Sequence, residues 1–425
     1  MIKILHVSDI HMGSGLSHGR TNPKTGFNTR LEDFRNSLRT CIDRALAEPV
    51  DLVLFGGDAF PDATPPPYIQ ETFASEFRRL VAAEIPTLLL VGNHDQHSQG
   101  KGGASLSIYR TLGVPGFLVG DKIETHRIST ANGDVQVMTL PWLTHSALLT
   151  RPESEGLSLS EVNQLLLKKL QPILEAEIRR LDPQLPTVLL AHLMADRAEL
   201  GAERFLAVGK GFTIPMSFLI RPEFDYVALG HVHRHQNLNP KGHPPVIYPG
   251  SIERVDFSEE KEEKGYVLID LEKGNPQWEF CPLPVRPFLT IDVDVTEKDD
   301  PQQAILSAIA RQKIPDAVVR LKYKLRSEQL DQIETRTLQK ALNFAHSYTI
   351  SPELVSQLAR PRVPEFGEQV SLDSISALKT YLGNRDDLQD LSDEMVEAAA
   401  QLLAEASDPT DSTLPKQQLN LLSES

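Results

Sequence analysis

An apolar run that ends in two glycines and a carboxylate, Leu52 to Asp58, constrains this chain more than any other stretch. An uninterrupted apolar run of this length predicts a strand that is buried on both faces. Gly56 and Gly57 allow a tight turn and let the backbone approach a ligand closely. Asp58 then lies at the carboxyl end of a buried strand, which is where open α/β sheets bind their ligands.

Strand patterns alternate with helical patterns through the first 280 residues, which predicts a layered α/β sandwich. A helix is expected after the first strand, because Leu31, Phe34, Leu38 and Ile42 recur at helical spacing. Another should begin at Ser158, and Pro172 is expected to kink or divide it. The remaining expected strands are Ile2 to Val7, Thr87 to Val91, Val135 to Leu140, Thr187 to Ala191 and Tyr226 to Leu229.

Bulk composition limits the class of protein. The 425 residues carry 24% charged side chains, and no apolar run has the roughly 18 residues of a membrane helix. No signal-peptide pattern opens the chain, and the only two cysteines, Cys41 and Cys281, form no metal or redox motif. We therefore expect a cytoplasmic protein with reduced thiols and no membrane partner.

The formal charge of −15 argues on its face against a nucleic-acid binder. Much of it lies near the carboxyl terminus, however, where residues 362–425 contain 13 carboxylates and four basic side chains. Bound cations would cancel a further part. Net charge therefore does not exclude a DNA substrate.

Proline-rich breaks divide the chain. Three prolines occur between Pro282 and Pro287, and two more stand at Pro361 and Pro364. We expect a domain over 1–284, a small β-α-β-α-β domain over 285–360 that includes a helix from Glu328 to Phe344, a helical segment over 361–406, and a disordered tail over 407–425.

Five short polar pieces follow predicted strands. Each alone has an ordinary explanation, such as a loop pair hydrogen-bonded to itself, an N-cap, a turn or a core histidine. The two histidines of the last piece are two residues apart, so in a strand they share a face, which by itself is weak evidence for a metal. The pieces are Asp9-Ile10-His11, Gly57-Asp58, Gly92-Asn93-His94-Asp95, Ala191-His192 and Gly230-His231-Val232-His233.

Together the pieces bring seven nitrogen and oxygen donors to one rim: Asp9, His11, Asp58, Asn93, His192, His231 and His233. A tetrahedral Zn²⁺ takes only four ligands, whereas seven suit two cations that share a bridging carboxylate. This sulfur-free set suits Mn²⁺ or Fe, with Zn²⁺ as a further candidate and Ca²⁺ disfavoured. We therefore predict two divalent cations, with Mn²⁺ first, that clamp a phosphoryl group.

The ordered motifs DxH, GD, GNHD, H and GHVH resemble those of the calcineurin-like metallophosphoesterase superfamily. Closer still, the chain is similar to the SbcD-like nuclease subunits of bacterial DNA repair complexes. Matching stretches include Phe224 to His233, Tyr248 to Ser251 and Lys264-Gly265. The resemblance covers residues 1 to 290 and is weaker beyond. It implies a four-layer α/β/β/α metallophosphoesterase sandwich with a smaller α+β capping domain and a C-terminal helical tail.

The resemblance also implies roles for the matching residues. It assigns the donors to two sets that share Asp58 as a bridge: Asp9, His11, Asp58 and His233, and Asp58, Asn93, His192 and His231. His94 would contact the scissile phosphate or protonate the leaving oxygen, with Asp95 orienting it. The alternative for His94 is a turn residue remote from the chemistry. Pro61 departs from the family, which usually has a polar residue there, although Asp62 follows it.

Two further patterns concern partners. Basic side chains alternate along one predicted strand of the small domain: Arg320, Lys322, Lys324 and Arg326. They form either a solvated outer face or a strip that holds DNA phosphates over the site. An apolar stripe marks the helical segment: Leu388, Leu391, Met395 and Leu402. It packs either on its own protein or, as the resemblance implies, on the coiled-coil base of an SbcC-like ABC-type ATPase.

The resemblance thus implies a metal-dependent DNA nuclease, both a double-strand exonuclease and a single-strand endonuclease, that acts on DNA ends and hairpins as a homodimer within an SbcCD-like complex. One rival is a phosphoesterase for small phosphodiesters or phosphoproteins, which would need neither the second domain nor the tail. Another is an inactive scaffold that regulates an ATPase. Lost ligands would mark a scaffold, and here all seven are present.

Overall fold

The computed structural model of the chain describes residues 1–97, 103–144, 156–199, 201, 213–355, 375, 378–379, 382 and 392–406, without the side chains of 159 and 401–406. These residues form two units, which are described separately. One unit is Met1–Lys324 with Asp331–Glu353, and the other is Leu325–Leu330 with the described residues from Leu354 onward. The predicted domain boundaries at 284 and 360 stay a prediction. Leu388, Leu391 and the predicted tail over 407–425 lie outside the described residues, as does the side chain of Leu402.

The elements alternate along the chain as the sequence patterns predict. In chain order the described strands are β1 (Ile2–Val7), β2 (Leu52–Phe55), β3 (Thr87–Leu90), β4 (Phe117–Gly120), β5 (Glu124–Thr130), β6 (Gly133–Leu140), β7 (Thr187–His192), β8 (Met194–Ala195), β9 (Thr213–Ile214), β10 (Tyr226–Gly230), β11 (Gln236–Asn237), β12 (Val246–Tyr248), β13 (Gly265–Leu271), β14 (Gln277–Pro282), β15 (Phe288–Asp294), β16 (Val318–Leu325) and β17 (Ser347–Leu354). The described helices are α1 (Thr29–Ala47), α2 (Pro67–Ala82), α3 (Ser107–Thr111), α4 (Leu159–Ile178), α5 (Met216–Leu219), α6 (Pro301–Ala310), α7 (Thr335–Ala341) and α8 (Ser392–Ala406), with short 3₁₀ turns at Leu16–His18, Phe257–Glu259 and Ser327–Gln332.

Two six-stranded sheets form the larger part of the first unit. The first has the strand order β14-β13-β1-β2-β3-β4, and the second has the order β11-β12-β10-β7-β6-β5. The strands β1 to β4 run parallel to one another, as do β6, β7, β10 and β12. Parallel strands that lie side by side end at the same edge of a sheet, so each sheet presents one rim of carboxyl ends.

Strand β2 shows why the two sheets stack. Leu52 and Leu54 face the second sheet and pack in the cluster between the sheets. The alternate residues Val53 and Phe55 face the other way, into the cluster that contains the buried stripes of α1 and α2. Strand β7 does the same in the second sheet, where Leu189 packs in the cluster formed with α4. The layers are therefore helices, sheet, sheet and helix, which confirms the predicted four-layer sandwich.

A three-stranded sheet with the order β15-β16-β17 forms the small part that follows. Strand β15 pairs in parallel with β16, and α6 connects the two, as the predicted β-α-β pattern requires. Arg286 fastens this sheet to the sandwich with two hydrogen bonds of 2.7 Å to the Asp33 carboxylate. Thr290 N donates to Glu260 at 3.0 Å, and Thr29 Oγ1 lies 2.8 Å from His346 Nε2.

Two parts of the helical predictions are wrong, namely the division of α4 at Pro172 and the single helix from Glu328 to Phe344. Helix α4 begins at Ser158 with the predicted capping box, but it runs through Pro172 without being divided. The Ser158 and Glu161 contacts satisfy its first donors, and its apolar face packs on the second sheet. The single helix predicted from Glu328 to Phe344 is instead a 3₁₀ turn, Ser327–Gln332, and the short α7. Among the described residues, no helix has the length and hydropathy needed to cross a bilayer.

Candidate metal centre

The carboxyl ends of neighbouring strands deliver the predicted site residues to one place. Asp9 and His11 follow β1, Asp58 follows β2, and Asn93 follows β3, all in the first sheet. His192 ends β7, while His231 and His233 follow β10, both in the second sheet. Side-chain contacts between these donors cross from one sheet to the other, as between His192 Nε2 and Asp58 Oδ2 at 3.3 Å. Their convergence supports the predicted site.

Backbone strain is concentrated at this rim. Asp9, His11, Asp58 and His231 have φ angles of 51°, 45°, 59° and 105°, and in the described chain only Glu84 and Asp316 share this property among non-glycine residues. Such conformations cost about 1–3 kcal/mol each and persist where surrounding contacts enforce them. Here Asp9 N donates to Gly57 O and His11 N donates to Asp58 O, both at 3.0 Å. The two loops therefore hold each other in the strained form.

Glycine at two positions makes room for these side chains. At Gly57, which has a φ of 100°, an added Cβ would lie 2.5 Å from His192 Nδ1. At Gly92 it would collide with the Asp58 carboxylate. A larger residue at either position would displace a donor, so the glycines are required by close approach as well as by turn geometry.

One group of donors consists of Asp9, His11 and His233, whose ligand atoms lie within 4.8 Å of one another. His11 Nε2 and His233 Nε2 are 3.0 Å apart. Two imidazole nitrogens bound to one cation at about 2.0–2.1 Å would be about 3 Å apart when the bond angle is near 90°. His233 Nδ1 lies 2.7 Å from Glu259 Oε1, so the proton is on Nδ1 and the Nε2 lone pair faces His11.

A second group consists of Asp58, His192 and His231, again within 4.8 Å. His192 Nδ1 donates to the Gly56 carbonyl at 2.7 Å, which leaves Nε2 to face Asn93 Oδ1 at 3.0 Å. His231 Nδ1 lies 2.9 Å from the same Asn93 oxygen. His231 Nε2 is buried without a hydrogen-bond partner among the described residues. Closely spaced nitrogen and oxygen donor atoms and an orphaned imidazole nitrogen fit a cation, so these clusters suit divalent metals.

Asp58 lies between the two groups. Its Oδ2 is 3.6 Å from His11 Nε2 and 3.3 Å from His192 Nε2, while its Oδ1 accepts from His94 N at 2.8 Å. Burial alone would raise the pKa of Asp58, but the imidazoles of His192 and His11 hold it well below its ordinary value. The pKa of His192 is lowered by burial, yet Asp58 more than offsets this and raises it to about 9. The centre thus attracts positive charge.

Asp95 has a different place from the predicted one. Its carboxylate accepts from Asp58 N at 2.9 Å, Ala59 N at 3.0 Å and Gly92 N at 2.9 Å. Burial and the nearby Asp58 raise its pKa to about 6. These bonds join the loop after β2 to the loop after β3. The geometry favours Asp95 as the residue that fixes these loops, in place of the expected contact with the His94 ring.

His94 stands at the mouth of the centre. Its ring lies 4.9 Å from the His11 ring, centroid to centroid, and it is half-buried. Its Nδ1 is 2.7 Å from the carbonyl oxygen of Pro61, the residue that differs from the family pattern. The Pro61 backbone therefore sets the orientation of the His94 ring. The opposite nitrogen, Nε2, carries the lone pair of the neutral ring. An open groove of about 270 Å³ lined by Pro61, Asp62, Asn93 and His94 gives access from solvent.

The four predicted basic residues of the small domain differ in their surroundings, and each is partly exposed. Arg320 lies over the Phe257 ring at 4.3 Å and donates to Thr290 Oγ1 at 3.1 Å. In the parallel register, Lys322 is opposite Asp292 and Lys324 is opposite Asp294. Arg326 belongs to the second unit. Of the predicted partner-binding residues, Met395 is exposed on α8.

The sequence assigned no role at the site to three residues, although Lys264 lies in a stretch that carries the family resemblance. Trp142 follows β6, and its ring packs 4.7 Å from the His231 ring. The sequence could have indicated Trp142, because it follows a parallel strand and such residues lie at the ligand-binding edge of a sheet. Glu259 and Lys264 lie in a loop between β12 and β13, and their ion pair of 2.8 Å adjoins His233. No pattern in the sequence identifies a loop residue of this kind before the chain is folded.

Two stacked sheets carry clustered His and Asp donors at their shared rim, and these clusters suit divalent metals. The profile of the calcineurin-like phosphoesterase family matches residues 2–235, and the chain belongs to this family. It is therefore a hydrolase of phosphoester bonds, as predicted. All seven predicted donors fall within the matched residues.

Curated relatives extend the comparison, and both carry the name of the D subunit of the nuclease SbcCD. The chain is 29% identical to the relative from Rhodobacter capsulatus, over 74% of this chain and 77% of that one. It is 27% identical to the relative from Staphylococcus epidermidis, over 69% and 73% respectively. A crystal structure of a dimetal phosphatase from Danio rerio is similar at a TM-score of 0.39 and 12% identity, covering 66% of this chain and 99% of that one. That similarity is too low to add to the assignment.

Proposed function

We propose that the chain is a two-metal DNA nuclease, with exonuclease activity on double strands and endonuclease activity on single strands. It would form the cytoplasmic nuclease subunit of an SbcCD-like repair complex. The observation that carries the proposal is the contact of Asp58 with both groups of donors, at 3.6 Å from His11 and 3.3 Å from His192. A carboxylate that serves two neighbouring cations is the arrangement that in-line displacement at phosphorus needs.

The chain's own donors would form two sets of ligands. One cation would be held by Asp9, His11, Asp58 and His233, and the other by Asp58, Asn93, His192 and His231. When bound, the two divalent cations, for which Mn²⁺ is our first choice, supply Lewis-acid stabilisation of the phosphoryl oxygens and activate water.

His94 would act as the proton donor of the reaction. Because its Nδ1 is engaged by the Pro61 carbonyl at 2.7 Å, only Nε2 is available to the substrate. A protonated Nε2 donates a hydrogen bond to a phosphate oxygen or transfers its proton to the leaving oxygen, and the neutral ring then takes a new proton from water. Asp95 would keep the loops after β2 and β3 together through its three backbone hydrogen bonds.

Partners are proposed from the relatives. Both are named as a component of the SbcCD nuclease, which supports an SbcC-like ABC-type ATPase as the partner and DNA as the substrate. We propose that α8, with Met395 exposed, belongs to the segment that docks on the coiled coil of the ATPase, and that the assembled nuclease is a homodimer. Truncation after Pro364 should abolish co-purification with the co-expressed ATPase. Unchanged co-purification would refute this docking site.

The activity test compares substrates. With Mn²⁺, the purified chain should shorten linear duplex DNA, cut single-stranded circles and hydrolyse bis(p-nitrophenyl) phosphate, and a chelator should stop all three reactions. Hydrolysis of the small ester without any DNA cleavage would reject the nuclease and leave the phosphoesterase. No hydrolysis at all, with two metal ions bound, would favour the scaffold.

A phosphoesterase for small phosphodiesters or phosphoproteins is the second candidate, and one observation favours it. Lys322 and Lys324 lie opposite Asp292 and Asp294 in the sheet register. Opposed charges on one face cancel much of the field that would attract a DNA backbone. Under this alternative the small sheet would be a structural addition, and removal of its lysines would leave every activity unchanged.

A further inference from the structure

One buried ion pair contacts both the ring and the backbone of His233. Glu259 and Lys264 are each only 1% exposed, and the Lys264 Nζ to Glu259 Oε2 distance is 2.8 Å. Neither residue lies in the stretch 2–235 that matches the family profile. They belong to the loop between β12 and β13, which carries none of the seven donors.

The ion pair holds His233 at both ends. Glu259 Oε1 lies 2.7 Å from His233 Nδ1, and Lys264 Nζ donates to the His233 carbonyl oxygen at 3.1 Å. Glu259 cannot turn away, because Oε2 also accepts from Val255 N at 3.0 Å. Ring and backbone of one histidine are thus fixed by the same two side chains.

Among the described residues, no carboxylate is the hydrogen-bond partner of Nδ1 in His192 or His231, the two histidines of the other group. His192 Nδ1 donates to a neutral acceptor, the Gly56 carbonyl, at 2.7 Å. His231 Nε2 has no hydrogen-bond partner within the described part of the chain. A carboxylate that accepts the Nδ1 proton fixes the tautomer and makes the opposite nitrogen a stronger ligand than a carbonyl does. The two groups therefore differ in preorganisation.

We propose that Glu259, supported by Lys264, is a positioning residue for His233. The group Asp9, His11 and His233 consequently binds its divalent cation more tightly than the group Asp58, His192 and His231. The first ion to load enters the His233 group. This inference rests on the metal centre of the proposed function and is independent of the substrate.

Glu259→Gln removes the charge while keeping the size of the side chain. Glu76→Gln is the matched control, because Glu76 is also 1% exposed and accepts from Arg35 and Arg39, yet it lies on α2 among residues unrelated to the centre. Mn²⁺ binding to the metal-free chain is measured by calorimetry, and electron paramagnetic resonance separates isolated from paired Mn²⁺. The full-length protein is used in each case.

The expected result is specific to one ion. Glu259→Gln should weaken the tighter of two Mn²⁺ affinities by about 10–100-fold, the size expected for loss of a carboxylate behind a metal-binding histidine, and should leave the weaker one unchanged. Glu76→Gln should bind both ions as the natural chain does. Two unchanged affinities in Glu259→Gln, or equal losses in both, would overturn the proposal.

A measurement on the natural chain covers the case in which Glu259→Gln does not fold. In the metal-free, ¹⁵N-histidine-labelled protein, nuclear magnetic resonance should find the proton of His233 on Nδ1, with the resonance assigned by its absence in His233→Gln. A proton on Nε2 would contradict the inference. If the chain binds two ions but cleaves no DNA, the proposed nuclease fails while the positioning role of Glu259 stands.

Discussion

Two regions of the molecule carry recurring polar side chains: the shared rim of the two large sheets, and the strand β16. The two regions differ in the groups that lie next to those side chains. At the rim, donors from several strands face each other, with His11 Nε2 and His233 Nε2 at 3.0 Å. On β16, Lys322 and Lys324 stand opposite Asp292 and Asp294 in the register of the parallel sheet. Opposite charges in register neutralise each other, whereas two imidazole nitrogens this close fit a shared cation. Residues gathered from many elements are therefore better evidence for a site than alternation along one strand.

The largest effect should come from the carboxylate between the two donor groups. Asp58→Asn removes the negative charge that serves both donor groups, so we expect the affinities for both Mn²⁺ ions to fall. Loss of a residue that only supports a metal ligand costs up to about 10²-fold, and we expect phosphodiester hydrolysis to fall by more than that. Calorimetry and the small-ester assay measure this.

Asp51→Asn is the matched control for Asp58→Asn, because Asp51 precedes the same strand and is buried at its other end, where it accepts from Lys3 N at 2.8 Å. It should keep both affinities. Unchanged Mn²⁺ binding in Asp58→Asn would show that the rim, like β16, is not a metal site that depends on its central carboxylate.

His94→Ala should separate chemistry from metal binding. The ring touches the His11 ring without bonding to it, so both ions should still bind, while loss of a proton donor should lower hydrolysis by about 10²–10⁴-fold. The exposed His243, which lies between β11 and β12, serves as the control, and His243→Ala should have the activity of the unsubstituted protein. Full activity of His94→Ala would show that His94 is a turn residue with no part in the chemistry.

Gly92→Ala tests how tightly the rim is packed. The added methyl group would collide with the Asp58 carboxylate, so we expect the free energy of unfolding to fall by about 1–3 kcal/mol and Mn²⁺ to bind more weakly. Urea unfolding in the presence of a chelator measures the first effect. Gly26→Ala adds a methyl group in open space and should leave Mn²⁺ binding intact. A Gly92→Ala protein with natural stability would show that the rim is loosely packed.

The smallest effect should come from β16. Removal of one phosphate contact is expected to change the slope of log DNA affinity against log salt by about one unit. We expect Lys322→Gln with Lys324→Gln to change this slope by less than that, because their carboxylate neighbours Asp292 and Asp294 already screen them. Fluorescence anisotropy with duplex DNA at several salt concentrations measures the slope. A change of about two units would establish β16 as a DNA strip.

Periodicity predicted the fold well because the strands are buried on both faces. Four consecutive buried residues in β2 and in β3 leave no exposed face, and such strands occur between layers of helices and a second sheet. The prediction of one helix from Glu328 to Phe344 was wrong because the helical periodicity there continues across two separate short elements, a 3₁₀ turn and α7. Pro172 did not divide α4, since a buried face along the whole helix outweighs one lost hydrogen bond.

The sequence by itself determined which side chains come to the rim, because a residue that follows a parallel strand must lie at the carboxyl edge whatever the rest of the chain does. It could not determine which residues lie behind them. Glu259, 26 positions from His233 in a loop without periodicity, meets its histidine only after β12 and β13 have taken their places in different sheets. The opposition of Lys322 and Asp292 was equally hidden, since it depends on the register between β15 and β16. Local pattern specifies where a strand ends, and only tertiary packing specifies what its last side chains touch.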